Sequence, residues 1–203
     1  MLSDSGTATS FHFGIPGDAP VACDWNGEGD RTVGVYRSSD MRFYMRNSND
    51  FGAADLRAVY GIPGDVALCG DWNGDGSETI GIYRPSEGRF YLRNSNSIGF
   101  ADITFEFGTP GDIPYAGDWD GDGISTVLMH RPSTGLVYGT NTNDGTSVDI
   151  LTFYGIPGDL LIPGDWDRDG DDTFGIYRRS AESFFLSTEL GMSFADLVVT
   201  LSP

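Results

Sequence analysis

Four aspartates, Asp24, Asp71, Asp118 and Asp165, recur every 47 residues, and each opens an acidic stretch: DWNGEGDRT, DWNGDGSET, DWDGDGIST and DWDRDGDDT. Oxygen side chains at alternate positions around a glycine turn are what a hard divalent cation needs, and calcium takes about six to eight such oxygens. The first, third and fifth positions of each loop supply side chains, and the seventh a backbone carbonyl. Loop one offers Asp24, Asn26, Glu28 and the carbonyl of Asp30, with Arg31 at the eighth position. Loop two offers Asp71, Asn73, Asp75, the carbonyl of Ser77, and Glu78 at the eighth. Loop three offers Asp118, Asp120, Asp122, the carbonyl of Ile124, and the weaker Ser125. Loop four offers Asp165, Asp167, Asp169, the carbonyl of Asp171, and Asp172. Up to four calcium ions are expected. Ligand charge ranks loop four first, then loops two and three, with loop one weakest. Arg168 stands in loop four where the other copies have Gly27, Gly74 and Gly121. The competing reading is a set of metal-free hairpins whose Asp and Asn side chains cap their own backbone. Against it stands the mutual repulsion of carboxylates crowded into nine residues.

A constant period means one structural unit copied four times. A unit of 47 residues is too small to bury its own apolar surface, so neighbouring copies must stack. Each copy contains four short runs rich in Val, Ile, Tyr, Phe and Thr, separated by Gly, Pro, Asn and Ser. The first runs are 21–23, 68–70, 115–117 and 162–164, and the second are 32–37, 79–84, 126–131 and 173–178. The third are 42–46, 89–93, 136–140 and 183–187, and the fourth 56–60, 103–107, 150–154 and 197–201. No helical period is present. Pro16-Gly17, Pro63-Gly64, Pro110-Gly111 and Pro157-Gly158 suit type II turns. The pattern predicts an all-β chain, residues 1–203 forming a single β-propeller domain. Its blades would cover about 20–60, 67–107, 114–154 and 161–201, with four antiparallel strands each. The alternative is two chains making a larger ring, a homodimer. Residues 7–14 and 195–201 both copy an outer strand, and one is surplus. Asp196 preserves the aspartate of Asp55, Asp102 and Asp149 where the N-terminal copy has Ala8, so 195–201 is expected to complete the fourth blade.

The charge is −18, and all 12 cationic residues are arginines, which argues against a nucleic-acid partner. Of the 30 acidic residues 14 lie in the four loops, and four dications would bring the charge to −10. No apolar run is long enough to span a membrane. No signal peptide is recognisable in this chain. Cys23 and Cys69 are one residue out of phase in equivalent strands, on opposite faces, which reads as buried free thiols rather than a bridge. His130 replaces Tyr36, Tyr83 and Tyr177 of the other copies and reads as a scaffold substitution. The four loop tryptophans, Trp25, Trp72, Trp119 and Trp166, read as packing. The recurring Arg37, Arg84, Arg131 and Arg178 read as fixed partners of a recurring aspartate.

Phe13-Gly14, Tyr60-Gly61, Phe107-Gly108 and Tyr154-Gly155 each precede the proline turn, a short apolar strand, the acidic loop and a second apolar strand. This order resembles the FG-GAP/VCBS repeats of integrin-α-like β-propellers over nearly all of residues 7–201. The resemblance implies calcium in the loop between the first two strands of a blade. The ninth loop position, where the family's closing acid falls, is always threonine here: Thr32, Thr79, Thr126 and Thr173. The closing ligand is then the eighth-position acid, a threonine hydroxyl, or water.

No Ser–His–Asp set, zinc-type cluster or nucleotide loop is present, and the acidic clusters are accounted for by calcium. The sequence therefore reads as an extracellular or cell-surface recognition module for carbohydrate or another surface ligand such as an extracellular protein. Candidate contacts are the third-strand aromatics Tyr44, Tyr91 and Tyr138 and the Asn-rich turns after them. A purely structural, assembly or adhesion propeller is the alternative. Behind both stands a polysaccharide-cleaving hydrolase or lyase, because paired carboxylates are abundant.

Overall fold

The computed structural model describes residues 10–191 and 195–201. They form sixteen strands in four separate four-stranded antiparallel sheets, with no α-helix among the described residues. The fold is all-β, of β-propeller type, with each sheet a blade. Blade one is β1 (Ala19–Cys23), β2 (Thr32–Arg37), β3 (Arg42–Met45) and β4 (Leu56–Val59). Blade two is β5 (Val66–Gly70), β6 (Thr79–Arg84), β7 (Arg89–Leu92) and β8 (Ile103–Glu106). Blade three is β9 (Ile113–Gly117), β10 (Thr126–Arg131), β11 (Leu136–Gly139) and β12 (Ile150–Phe153). Blade four is β13 (Leu160–Gly164), β14 (Thr173–Arg178), β15 (Ser183–Leu186) and β16 (Leu197–Thr200), with a single 3-10 turn at Arg179–Ala181. All second strands match the sequence reading to the residue. The first strands start two residues earlier than expected, and the third and fourth stop one residue sooner. The chain divides into two compact units, Met1–Glu106 and Phe107–Pro203, each holding two blades.

The strands of a blade follow one another in simple meander order. Cross-strand partners at one repeat position are matched in chemistry in three of the four blades, while blade one sets Arg42 opposite Val59. One repeat-equivalent pair is the ion pair Arg89–Glu106 in blade two, the apolar pair Leu136 and Phe153 in blade three, and Ser183 hydrogen-bonded to Thr200 at 3.0 Å in blade four. The aspartate before each fourth strand accepts the amide proton of a residue eight positions earlier. Asp55 takes it from Asn47 at 2.9 Å, Asp102 from Asn94 at 2.8 Å, Asp149 from Asn141 at 2.9 Å and Asp196 from Thr188 at 3.0 Å. That bond clamps the loop between the third and fourth strands. Asp196 keeps this clamp, and the segment it precedes forms β16, blade four's outer strand, as the sequence predicted. Described residues 10–14 form no strand, and residues 7–9 of the surplus copy lie outside the described residues.

The second strands are buried almost throughout, and aromatic pairs fill blades one and two (Tyr36–Phe43 and Tyr83–Phe90 at 4.7 Å between ring centres). Tyr154 after β12 meets Phe174 of β14 between blades three and four at 5.0 Å. Trp25, Trp72 and Trp119 are buried, and each indole N–H donates to a threonine carbonyl seven residues on: Thr32 at 3.2 Å, Thr79 at 3.1 Å and Thr126 at 3.3 Å. These three tryptophans are therefore packing residues that also close their own loops, whereas Trp166 is half-buried with its indole N–H unpaired among the described residues. His130 is buried, and burial lowers its pKa, so it stands neutral in the core where its equivalents are tyrosines.

Cys23 and Cys69 form a disulfide, with their Cα atoms 6.4 Å apart, which corrects the expectation of free thiols. The phase argument holds within one sheet and reverses between stacked sheets. Equivalent residues of two stacked copies point the same way, so facing surfaces are the front of one blade and the back of the next. Cysteines one residue out of phase on β1 and β5 therefore point at each other. The bridge spans 46 residues of chain and constrains the unfolded state accordingly, by about 3–4 kcal/mol. Thiol titration of the native protein is expected to find no free cysteine. Cys69→Ala is expected to lower the melting temperature of the first unit by several degrees. Two titratable thiols in the native protein would contradict the bridge.

Candidate metal centre

Each acidic loop runs between the first two strands of a blade and is closed by its leading aspartate. Asp71 accepts the amide protons of Gly74 and Asp75 on one oxygen, at 2.8 and 3.1 Å, and that of Gly76 on the other at 2.7 Å. Asp118 repeats this with Gly121, Asp122 and Gly123 at 2.9, 3.2 and 2.8 Å. Asp24 holds Glu28 and Gly29 at 3.1 and 2.7 Å, and Asp165 holds Arg168 and Gly170 at 2.6 and 3.3 Å. One carboxylate thus satisfies the donors of a tight turn, as an Asx turn does.

The turn needs a left-handed residue at its fourth position. Gly27, Gly74 and Gly121 all have φ of 71°, and Arg168 takes the same conformation at φ 66°. For a side chain with a Cβ this costs roughly 1–2 kcal/mol. Arg168→Gly is expected to raise stability by about 1 kcal/mol, read by urea unfolding. A neutral or destabilising result would show that the arginine side chain offsets its backbone strain.

The loops differ in how well they converge. In loop three Asp118, Asp120 and Asp122 each bring an oxygen within 4.8 Å of the other two, and in loop four Asp165, Asp167 and Asp169 do the same. Loop two places Asn73 between Asp71 and Asp75, with the amide donating to Asp75 at 3.0 Å. In loop one Asn26 and Asp24 both accept from the amide of Glu28, and Asp30 lies in an exposed stretch. Ser77, Ile124 and Asp171, at the seventh positions, donate their amides to the fifth-position carboxylates at 3.0, 2.8 and 3.2 Å. Crowding has an electrostatic cost. Burial and then the charges of Asp122 and Asp118 raise the pKa of Asp120, and burial followed by the neighbouring aspartates raises Asp171 to about 6. Three hard oxygens converging on a site that disfavours its own negative charge fit a divalent cation in loops three and four.

The eighth-position acids reach toward a neighbouring loop within their unit. Glu78 lies against loop one: one oxygen accepts the amide of Asp24 at 2.5 Å, the other pairs with Arg31 at 2.9 Å, and the Glu78 amide donates to the Asp24 carbonyl at 3.0 Å. Asp172 caps loop three in the same way, accepting the Asp118 amide at 3.0 Å while its own amide donates to the Asp118 carbonyl. The sequence left the eighth-position acid, a threonine hydroxyl or water as the closing ligand of each loop, and these two acids turn to the neighbouring loop instead. The repeat register shows which loop a residue belongs to, whereas blade stacking decides which loop it reaches. Arg31, which weakened loop one on charge, is the counter-ion of Glu78. The threonine hydroxyls are also engaged: Thr79 donates to the Arg93 carbonyl and Thr173 to the Ser187 carbonyl, both at 2.6 Å.

The recurring arginines pair with the aspartates after the proline turns, as expected. Arg37 meets Asp18, Arg84 meets Asp65, Arg131 meets Asp112 and Arg178 meets Asp159, each through two guanidinium nitrogens between 2.7 and 3.0 Å. Each guanidinium also lies over the third-strand aromatic: Tyr44 at 4.6 Å, Tyr91 at 4.5 Å, Tyr138 at 5.6 Å and Phe185 at 4.8 Å. Tyr138 differs from the other two tyrosines, because its hydroxyl donates to Asp112 and its ring packs on Phe107 at 5.5 Å. Sequence reasoning singled out the tyrosines but not the clefts that they help to line. Tyr44 lies beside Phe51, and Tyr91 beside Ile98 and Phe100. A second pattern at 47-residue spacing, apolar residues in the polar loop after the third strand, was the available signal.

Burial pushes the Asp112 carboxyl up, but Arg131, Tyr138 and Thr109 outweigh it and hold the group at about 2, below its ordinary 3.8. A carboxyl depressed in the fold contributes stability that is full above the unfolded value and lost as pH falls through the folded one. The melting temperature is therefore expected to fall between about pH 4 and about pH 2. Asp112→Asn should lower it at neutral pH and flatten the slope in that window. An unchanged slope would show that this carboxylate adds nothing.

No protein-family model matches the chain, and no curated protein matches it. Among solved structures it is similar to one described as the crystal structure of BBS1N in complex with ARL6DN, soaked with lead. The TM-score is 0.48 and the identity 9%, over 90% of this chain and 56% of that one. The chain thus spans little more than half the length of that structure, and a likeness at this level carries no argument about function.

Proposed function

We propose that the protein is a calcium-binding β-propeller of the FG-GAP/VCBS type that acts as an extracellular recognition module, for carbohydrate or another surface ligand. The observation that supports it best is the pair of aspartate triads whose oxygens converge in loops three and four, with burial and neighbouring carboxylates disfavouring the ionised form of Asp120 in loop three and of Asp171 in loop four. In this reading Asp118, Asp120 and Asp122, and Asp165, Asp167 and Asp169, hold the ions. Loops two and one follow with Asp71, Asn73 and Asp75, and with Asp24, Asn26 and Glu28. Calcium supplies charge neutralisation and rigidity, not chemistry. Water closes the coordination shell in loops two and four, because Glu78, Asp172 and the hydroxyls of Thr79 and Thr173 have other partners. The Cys23–Cys69 bridge supports an oxidising compartment. No helix is long and apolar enough to cross a membrane. The carboxylates work within turns and ion pairs, which favours a binding module over a hydrolase.

One observation favours the purely structural alternative. Glu78 and Asp172 tie successive loops together within each unit, so an ion in loop one or three would stiffen the joint between two blades. Recognition and rigidity are compatible, and a glycan array separates them: silence leaves the spacer.

Calcium at a concentration 100-fold above its dissociation constant is expected to add about 2.7 kcal/mol and several degrees to the melting temperature. Asp120→Asn combined with Asp167→Asn should remove most of that gain. A melt unchanged between calcium and chelator would eliminate the metal reading.

A further inference from the structure

Blades one and two each carry a shallow cleft built from the same repeat positions. In blade one the Phe13-Gly14 pair, Val35, Arg37 and Tyr44 form its floor, with Phe51 on the rim. In blade two these positions are Tyr60-Gly61, Ile82, Arg84 and Tyr91, with Ile98 and Phe100 on the rim. The volumes are about 290 and about 300 Å³. The rim residues are exposed to a degree that no packing role explains: Phe51 79%, Ile98 74% and Phe100 94%. Apolar side chains held out beside a cleft, in loops rich in Asn, Ser and Gly, mark a contact surface.

Blade three lacks the cleft's features. Gly145 and Ser147 stand where Ile98 and Phe100 stand in blade two. The Met129 methyl lies so close to Gly108 that a Cβ there would meet it at 2.6 Å, and Tyr138 is committed to Asp112. Blade four repeats the floor, with Tyr154-Gly155, Ile176, Arg178 and Phe185 lining a space of about 250 Å³. The floor thus recurs in three copies, and among the described residues the exposed apolar rim belongs to blades one and two.

The lining chemistry narrows the ligand. The arginine charge is balanced by Asp18 or Asp65, which occupy its Nε and one Nη. The remaining Nη1 lies at 3.3 Å from the Tyr44 hydroxyl in blade one and at 3.4 Å from Glu87 in blade two. The tyrosine hydroxyls themselves donate to Asp40 and Glu87. Each cleft thus offers an apolar rim at one end and, at the other, a guanidinium N–H and a tyrosine oxygen tied to a carboxylate. A ligand with an apolar C–H face and a hydroxyl edge matches both ends. The carboxylates and the net charge of −18 disfavour an anionic one. At about 300 Å³ the space is at the lower limit for ligand pockets and suits one ring.

We propose that the clefts of blades one and two each bind one ring of a neutral carbohydrate, with Phe51, or Ile98 and Phe100, against its C–H face and Arg37 or Arg84 at its hydroxyl edge. This rests on the carbohydrate-recognition reading above. Two equivalent sites on one unit would let an oligomer bind more tightly than a single sugar, through effective concentration.

The test titrates the calcium-loaded protein with methyl glycosides of neutral hexoses and with their oligomers, followed by calorimetry and amide chemical shifts. Expected are binding by at least one neutral sugar, shifts centred on Gly14, Gly52, Gly61 and Gly99, and about tenfold weaker binding for Phe51→Ser with Phe100→Ser. Leu151→Ser, an exposed change in blade three, should bind as the unaltered protein does. Neutral-sugar binding that survives the double substitution would overturn the clefts and leave recognition elsewhere on the chain. No neutral sugar binding, with the calcium-dependent melt intact, would overturn this inference and spare the metal reading. Preference for acidic sugars or for peptides would overturn the ligand class.

Discussion

A four-stranded sheet whose two faces are both largely apolar cannot bury itself, and this one constraint runs through the whole molecule. It forces successive copies to stack front to back, as in blades one and two within the first unit and blades three and four within the second. The inner strands β1 and β5 then face each other, and so do β9 and β13. Cys23 meets Cys69 because of that geometry. Glu78 reaches Asp24, and Asp172 reaches Asp118, for the same reason. Where the stacked surfaces meet, the loops between first and second strands are drawn together. The acidic residues are thus gathered at the joints between blades, where a bound cation would have most mechanical effect.

The repeated aspartates divide into three separate structural tasks. The leading loop aspartates hold the amides of their own turns. Asp18, Asp65, Asp112 and Asp159 hold the proline turn with one oxygen and an arginine with both. Asp55, Asp102, Asp149 and Asp196 clamp the loop before the outer strand. A strongly acidic composition is therefore built into the local backbone chemistry of the repeat. The third and fifth loop positions are free of these tasks, and among the described residues they converge with the leading aspartate as three carboxylates in loops three and four. The repeats also differ on their outer surface: β12 exposes Leu151 and Phe153, whereas β8 exposes Thr104 and Glu106. Tandem copies share a scaffold and have diverged at the positions it does not constrain.

Much of this was legible in the chain itself. A fixed 47-residue period, strand-type runs and turn residues at constant offsets determined the strand count, the second-strand boundaries and the all-β class. Local periodicity and turn chemistry act over a few residues, and the repeat supplied four independent readings of each. The choice of 195–201 as the last outer strand followed from a single aspartate, and the Arg–Asp pairs from their joint recurrence. The tertiary structure alone decided the partners across stacked blades, namely the disulfide and the destination of Glu78 and Asp172. Within a blade it decided the engagement of the Thr79 and Thr173 hydroxyls and the commitment of Tyr138 to Asp112 while Tyr44 and Tyr91 line clefts. These contacts join residues 46 or 54 positions apart, or depend on which neighbour fills a gap, and no pattern within one repeat encodes the direction from which a neighbouring sheet approaches.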